Sequence, residues 1–193
     1  MPRTKQFNKE EVLEKAMELF WEKGFHATSI QDLVDHLGIN RASLYTTFGG
    51  KDALFEQAFA LYRETSGPAI LVFFEGEVSV KAGFKKLFEH AIAEAVADPS
   101  KKGCFVVNTT TALIPGNEKI EQVLCSHRNK VEELFLTLVT RGIQRGEIAP
   151  DKNPKAIASY LFTFYNGLRV VSKLDTDPER LRQIVDTGLS VLD

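Results

Sequence analysis

Apolar residues recur at helical spacing along most of this chain. The first run, NKEEVLEKAMELFWEKG, places Val12, Ala16 and Phe20 on one side of a helix with 3.6 residues per turn. Asn8 is predicted to cap the start of this helix, and Gly24 is a residue typical of a helix end. No segment shows the sustained alternation of a β-strand. The pattern therefore predicts an all-α protein.

Two short helices, SIQDLVDHL and RASLYTTF, are predicted next, with three residues between them. Thr28 and Gln31 have the spacing of a capping box that would begin the first helix. Gly38 is predicted to end it, and Asn40 to cap the second helix. Two helices joined by a short turn that contains glycine are typical of a helix-turn-helix, whose second helix can enter the major groove of DNA.

The rest of the chain also has the pattern of helices. A fourth helix is predicted at about 51–64, with Gly67 and Pro68 ending or bending it. Further helices are predicted at about 79–97, 104–114, 118–146, 155–173 and 179–192, because each break between them contains proline. The sequence thus predicts about nine helices, in an N-terminal three-helix helix-turn-helix domain and a C-terminal antiparallel bundle. The predicted limits are 1–50 for the first domain, 51–66 for a connecting helix and 67–193 for the bundle.

Composition narrows the class of protein. The chain has 193 residues, of which 44% are hydrophobic and 26% charged, as in ordinary soluble globular proteins. No apolar run approaches the roughly 18 residues of a membrane span, and the N-terminus lacks the apolar segment of a signal peptide, so we expect a cytoplasmic protein without a membrane partner. Its two cysteines, Cys104 and Cys125, form neither a disulfide framework nor a metal-ligand motif.

Charge is distributed unevenly near the second short helix. The formal net charge of the chain is −2, which does not exclude DNA binding, because binding requires a basic face and not a basic total. Residues 37–51 include Arg41 and Lys51 but no carboxylate, and the N-terminal Arg3 and Lys5 precede any acidic residue. These residues predict a basic patch that lies over DNA phosphates.

The second short helix has the composition of a groove-reading surface. Leu44 and Phe48, four residues apart, are predicted to hold it on the core. Its other side chains offer a long cation, compact hydrogen-bonding groups and methyl groups, which can contact base edges. The predicted base contacts are Arg41, Ala42, Ser43, Thr46 and Thr47. The predicted phosphate contacts are Tyr45, Thr28 and Lys51, with a partly wet core position for Tyr45, a purely capping role for Thr28 and an ordinary surface charge for Lys51 as the alternatives.

Three linked motifs carry a family resemblance. They are A-x-x-L-F-x-x-x-G-F at 16–25, T-S-I-x-D-L at 28–33 and L-G-I-x-x-x-S-L-Y-x-x-F-x-x-K-x-x-L at 37–54. This part of the chain resembles the DNA-binding domain of TetR-family transcriptional regulators. The remainder resembles the regulatory bundle of that family more loosely, including a KGC…N segment at 102–108.

The resemblance implies a homodimer that binds a double-stranded DNA operator, usually represses, and is released by a ligand. It also implies that the last two helices form the dimer interface. The sequence agrees, because the segment 155–173 has nearly two apolar stripes, more than one helix needs to bury against its own core. Two such subunits would match a pseudo-palindromic operator. The predicted interface residues are Phe164, Leu168, Val171, Leu181 and Val185.

The aromatic residues of the bundle predict an apolar or aromatic small-molecule effector. The candidate ligand contacts are Phe73, Phe84, Phe88, Cys104, Asn108 and Phe135. Alternatives remain for each kind of residue: an aromatic stripe is also typical of plain core, and Asn108 could satisfy only the backbone. Cys104 could sense oxidants or electrophiles, or be a small buried apolar residue.

Catalytic chemistry has no motif in this sequence. His90, Glu94 and His127 lack the spacing of a metal site, and no nucleophile elbow, phosphate-binding glycine loop or zinc signature is present, so we predict no cofactor, no metal and no enzyme. Two other classes stay open. One is a helical binding module that acts through a protein partner without specific DNA recognition, and the other is a helical enzyme with an unrecognised site.

Overall fold

The computed structural model describes residues 7–66, 69–76 and 79–193, and within these ranges it contains helices and no strands. The helices are α1 (Lys9–Lys23), α2 (Ile30–Leu37), α3 (Arg41–Phe48), α4 (Lys51–Ser66), α5 (Ala69–Val72), α6 (Val80–Ala97), α7 (Phe105–Leu113), α8 (Glu118–Gln144), α9 (Pro154–Val171) and α10 (Pro178–Leu189). A 3₁₀ turn, Ser190–Leu192, follows. None of the described helices is long and apolar enough to cross a membrane.

The predicted all-α class is confirmed. Nine of the described helices have eight or more residues and correspond to the nine predicted from the sequence, whereas the single turn of α5 was not predicted. The predicted break at Gly67 and Pro68 lies outside the described residues.

Side chains cap α1 and α3 where the sequence predicts. The Asn8 carboxamide accepts a hydrogen bond from the backbone N–H of Glu10 at the start of α1, and Gly24 follows its end. Asn40 accepts from the backbone N–H of Ser43 at the start of α3, with Oδ1 2.8 Å from the nitrogen. These bonds satisfy backbone donors that an isolated helix end leaves unpaired.

The predicted capping box of α2 is wrong by one residue. Ser29 is the N-cap, and it exchanges hydrogen bonds with Asp32, whereas Thr28 is buried and its hydroxyl donates to the carbonyl of Gly24 over 2.7 Å. Both residue pairs have the spacing of a box, but the carboxylate of Asp32 also pairs with Lys23 at 2.8 Å. Lys23 and Ser29 together hold the pKa of Asp32 well below its usual range.

The buried apolar residues form two clusters. One cluster lies within the bundle and is built from α6, α8, α9 and α10. The other contains residues of all four helices from α1 through α4. It also includes Phe105 and Leu113 of α7, and Ile120 and Leu124 at the beginning of α8. The packing therefore does not follow the predicted limit at residue 67, because α7 and the start of α8 share the core of the N-terminal helices.

Phe105 is the centre of this junction. Its ring is 2% exposed, and its centroid lies 5.4 Å from those of Phe59 and Tyr62 and 5.8 Å from that of Phe55. Beside it, the indole N–H of Trp21 donates to the carbonyl of Gly103 over 3.0 Å. The segment that leads into α7 is thus fixed to both α1 and α4.

We expect Phe105→Ala to lower the free energy of unfolding by about 3–5 kcal/mol, because it leaves a cavity among packed rings. Phe73→Ala is the control, since Phe73 is half-buried and should lose less. Urea denaturation followed by circular dichroism would measure both values. Equal losses in the two variants would contradict the central position of Phe105.

Candidate functional site

Helix α3 has one buried and one exposed side. Leu44 and Phe48 are buried, as predicted, and they hold the helix against the N-terminal cluster. Gly49 adopts a left-handed conformation and ends the helix, and its N–H donates to the carbonyl of Tyr45. Helix α3 is therefore held in a fixed position against the N-terminal cluster.

The predicted base contacts are the positions of α3 around its two buried residues. Four of them are exposed and Ser43 is half-buried. The Thr46 hydroxyl donates to the carbonyl of Ala42 over 2.9 Å, which fixes its rotamer and leaves its oxygen able to accept. The exposed members are Arg41, Ala42, Thr46 and Thr47. The exposed residues of α3 thus offer one guanidinium, methyl groups and small polar groups, the mixture that reads base edges.

The predicted phosphate contacts differ in whether their side chains are accessible. Thr28 is fully buried with its hydroxyl engaged, so the predicted side-chain contact of Thr28 with a phosphate is wrong. Lys51 remains available at the first position of α4, with Nζ 4.3 Å from the centroid of the Phe25 ring. Lys9 lies beside the end of α3, with Nζ 5.7 Å from the centroid of the Phe48 ring. Two lysines therefore flank the C-terminal end of α3, whereas Arg3 and Lys5 lie outside the described residues.

Tyr45 lies against the turn that follows α3. Tyr45 is not a core residue, since it is 47% exposed. Gly50, at a φ of +105°, faces the ring so closely that an added Cβ would lie 3.2 Å from Cε1 of Tyr45. The glycine thus allows the backbone to approach the ring and fixes where the phenol points.

A cavity of about 280 Å³ lies between the N-terminal unit and the bundle. Its walls come from α4, α6, α7, α8 and α9, together with the segment that contains α5. Of the predicted ligand contacts, Phe73 and Cys104 line it. The sulfur of Cys104 lies 4.0 Å from the hydroxyl oxygen of Tyr62, and whether this cysteine senses oxidants or electrophiles stays a prediction.

The other predicted ligand contacts do not line this cavity. Phe84, Phe88 and Phe135 are fully buried in the core of the bundle, where Phe84 and Phe135 pack edge to face with centroids 5.1 Å apart. Asn108 donates to the carbonyl of Lys102 over 2.7 Å and accepts from Lys173, so its carboxamide ties two segments together. None of the four is therefore a wall residue of this cavity, and a ligand contact by any of them stays a prediction. Helical spacing alone does not separate a core phenylalanine from one on a cavity wall.

Sequence reasoning missed most of the polar groups in the cavity. Arg169 is almost completely buried and is paired with Glu94, which also lies 3.4 Å from the His90 ring nitrogen. Burial alone would lower the pKa of Arg169, but the adjacent Tyr165, Cys104 and Glu94 hold it above its usual value. A signal was present, since this arginine lies on the otherwise apolar inner side of α9.

Two further titratable groups show how strongly the cavity desolvates its lining. Burial raises the pKa of Tyr165 to about 12, against the opposing effect of Arg169. Burial also lowers the pKa of His127, and the nearby Arg63 and Lys130 lower it further. At neutral pH the phenol is therefore protonated and the imidazole is uncharged. No group of three His, Cys, Asp or Glu side chains in the described ranges is placed to hold a metal ion.

The predicted dimer interface needs correction. Leu168, Leu181 and Val185 are at most 3% exposed and pack within the core of their own subunit. Phe164 is half-buried, with its ring over Gly188, where an added Cβ would lie 2.2 Å from Cε1 of the ring. Val171 is 44% exposed. Leu168 and Val171 both lie on apolar stripes of α9, but the stripes face different ways.

The exposed stripe of α9 is continuous. Its members lie four and three residues apart in alternation, which is the spacing of a helix-packing seam. Gly167 in its middle has no atom within 4 Å of an added Cβ. The stripe consists of Tyr160, Phe164, Gly167, Val171 and, just beyond the helix, Leu174. Leu174 is 84% exposed, which is unusual for so large an apolar side chain.

Comparison with known proteins agrees with this architecture. Residues 12–58 match the family model "Bacterial regulatory proteins, tetR family", and residues 82–187 match "Tetracyclin repressor-like, C-terminal domain". The chain belongs to the TetR family. The HTH-type transcriptional regulator YezE of Bacillus subtilis is 35% identical over 195 residues, and the match covers 100% of both chains.

Two further relatives extend the comparison. The HTH-type transcriptional repressor ComR of Escherichia coli is 32% identical over 190 residues, covering 97% of this chain and 90% of ComR. A cysteine variant of the TetR family transcriptional regulator CifR, solved with a 26-base-pair operator DNA, has a TM-score of 0.87 and 29% identity. That match covers 99% of this chain and 100% of the CifR chain. The chain is therefore a TetR-family transcriptional regulator with a helix-turn-helix.

We expect Gly50→Ala to reduce the free energy of DNA binding by more than it reduces the free energy of unfolding. Alanine at a positive φ costs about 1 kcal/mol or more, and here the methyl group also displaces Tyr45. Gly24→Ala is the matched control, because Gly24 has a φ of +82° but open space around an added Cβ. Urea denaturation and fluorescence anisotropy with labelled DNA would compare the two. Equal DNA affinities in both variants would show that the position of Tyr45 does not matter.

Proposed function

We propose that this regulator represses transcription by binding a pseudo-palindromic operator as a homodimer, and that a small molecule in the cavity releases it. The observation that carries the proposal is the construction of α3. Leu44 and Phe48 hold the helix on the N-terminal core, while Arg41 at its first position is exposed. The named repressor ComR and the DNA complex of CifR support the same conclusion.

In this proposal the exposed side of α3 reads bases, and its surroundings bind phosphates. Arg41, near the N-terminus of α3, is the candidate for a bidentate contact with guanine. The candidates for the backbone contacts that set its register are Tyr45, on the helix itself, and Lys9 and Lys51, which lie beside it.

The exposed stripe of α9 is the proposed centre of the dimer interface. An apolar seam with heptad-like spacing packs well against a second helix, and Gly167 lets the two backbones approach closely. A shallow groove beside it, lined by Tyr160, Phe164 and Ile184, would admit side chains of the second copy. The interface then holds two α3 helices at the fixed separation that a two-fold operator requires.

Helix α4 is the proposed link between effector and DNA. Its first residue, Lys51, lies next to α3, and Arg63 in its last turn lines the cavity. At 1.5 Å per residue the two positions are about 18 Å apart along a single helix. A ligand that moves the cavity end of α4 also moves the base of α3, by as much as its preference for the released state allows.

We expect selection from a randomised DNA pool to enrich a pseudo-palindrome. Arg41→Ala should relax the preference at one position in each half-site, worth about 1–3 kcal/mol, because it removes a base contact. Lys51→Ala should weaken all sequences about equally and reduce the salt dependence of the affinity. Lys85→Ala is the control, since Lys85 forms a surface ion pair with Asp186 in the bundle. An unchanged motif and affinity for Arg41→Ala would refute the role of α3.

We expect Val171→Glu to produce monomers that bind the operator weakly, because a carboxylate would then lie in the apolar seam. Val96→Glu is the matched control, since Val96 on α6 is 49% exposed and Val171 is 44% exposed. Sedimentation velocity would report the oligomeric state of each protein. An intact dimer of Val171→Glu would place the interface elsewhere.

A further inference from the structure

Arg63 is a cation without a partner at the cavity wall. Its Nε atom is buried and has no hydrogen-bond partner within the described ranges, and no described carboxylate pairs with its guanidinium. The guanidinium carbon lies 5.3 Å from the centroid of the Phe59 ring, a favourable contact that does not supply Nε with an acceptor. A buried donor without a partner is costly, so this arrangement favours a ligand that accepts.

The residues around Arg63 do not supply a carboxylate that pairs with it. Glu94 is the carboxylate among the described lining residues of the cavity, and it is already paired with Arg169 and adjacent to His90. Two guanidinium groups therefore face one carboxylate. Glu64 follows Arg63 in α4 and lines a neighbouring groove that Arg63, His127 and Lys130 also line. No ion pair within the described ranges joins Glu64 to Arg63 or to Lys130.

His127 lies beside the unpaired arginine. It lines the same cavity, and its pKa is lowered by burial and by the positive charges of Arg63 and Lys130. Burial is the larger cause of the lowered pKa of His127, and the two positive groups at this end of the cavity lower it further. A cationic ligand would add to that repulsion, whereas an anion would relieve it.

The remainder of the cavity is suited to an apolar body. Ile70, Phe73, Leu87 and Val106 contribute to its walls, and its volume is about 280 Å³. This space accommodates a single aromatic ring with a short chain. A polar end and an apolar end are therefore present in one cavity, as in most small-molecule sites.

We infer that the effector is a small organic carboxylate with an apolar, preferably aromatic, body, and that its carboxylate pairs with Arg63 and lies against His127. The inference rests on the proposed function, since it names the class of molecule for the proposed effector cavity. It refines the apolar or aromatic effector expected from the sequence. Because Arg63 belongs to α4, the ion pair acts directly on the helix that supports α3.

Direct binding to the purified full-length protein tests the inference. The probes are benzoate, phenylacetate and hydrocinnamate, each compared with its uncharged amide by isothermal titration calorimetry or ligand-observed NMR. The amides have nearly the same shape but no charge, and we expect each carboxylate to bind about tenfold more tightly than its amide.

Variants of Arg63 identify the group that selects the charge. Arg63→Gln should weaken carboxylate binding about tenfold and leave amide binding unchanged, so the amide also reports whether the cavity is intact. Arg63→Lys should keep part of the preference, because it keeps the charge without the planar fork. Arg182→Gln is the control, since Arg182 pairs with Glu89 on the surface. Thermal melts would show that each variant is folded.

The outcomes separate this inference from the proposed function. Arg63-dependent carboxylate binding without any effect on operator binding, or in a protein that binds no operator, would support the inference and refute the effector mechanism. Carboxylates that bind no better than their amides, including no binding by either, would overturn the inference. So would equal carboxylate binding by wild type and Arg63→Gln, even if a neutral compound released the operator.

Discussion

The packing of Phe105 into the N-terminal cluster is the contact on which the rest of the structure depends. Phe105 begins α7 in the chain, but its ring contacts the rings of Phe55, Phe59 and Tyr62 on α4. Without it, the helix-turn-helix would keep the continuous α4, the smaller contacts of Leu113, Ile120 and Leu124, and the hydrogen bond from Trp21 to Gly103 as its attachments. With it, α4 is held from two sides, and a displacement of α4 must either carry α7 along or break a packed aromatic core.

This arrangement explains why the cavity and the DNA-reading helix can influence each other. The cavity lies on the far side of α4 and α7 from α3, and its wall includes Tyr62 and Cys104, which flank the Phe105 junction. The same residues therefore have an aromatic core on one side and a charged cavity on the other. Rearranging the charges of Arg63 and Arg169 is a local event, but it acts on helices that are not free to adjust independently.

The sequence was sufficient where a local rule had a single solution. Asn40 caps α3, and Leu44 with Phe48 anchors it, since one face of so short a helix could be buried. The sequence was not sufficient where two residue pairs had equal spacing. Thr28 with Gln31 and Ser29 with Asp32 both form the pattern of a capping box, and the long-range pair between Lys23 and Asp32 favours the second.

The same limit applies to α9 and to the cavity. Helical periodicity shows that α9 has two apolar stripes, but the assignment of Leu168 to the core and Val171 to the surface depends on where α10 and α6 pack. It likewise cannot separate a core phenylalanine from one that faces a cavity. Arg63 and Arg169 were overlooked because a charged residue in an amphipathic helix is normally solvated.

Thermodynamic reciprocity sets how much a ligand in the cavity can change the operator affinity. If a ligand weakens operator binding, operator DNA must weaken ligand binding by the same factor, with a coupling of about 1–3 kcal/mol in typical cases. Arg63 is half-buried, and supplying an acceptor to its buried Nε donor is worth an amount of this order. A single ion pair at Arg63 would therefore supply enough free energy to shift α4, provided that the pair forms better in the released arrangement. The requirement is that α4 moves toward the bound anion, since a carboxylate that fitted both arrangements equally would leave the operator affinity unchanged.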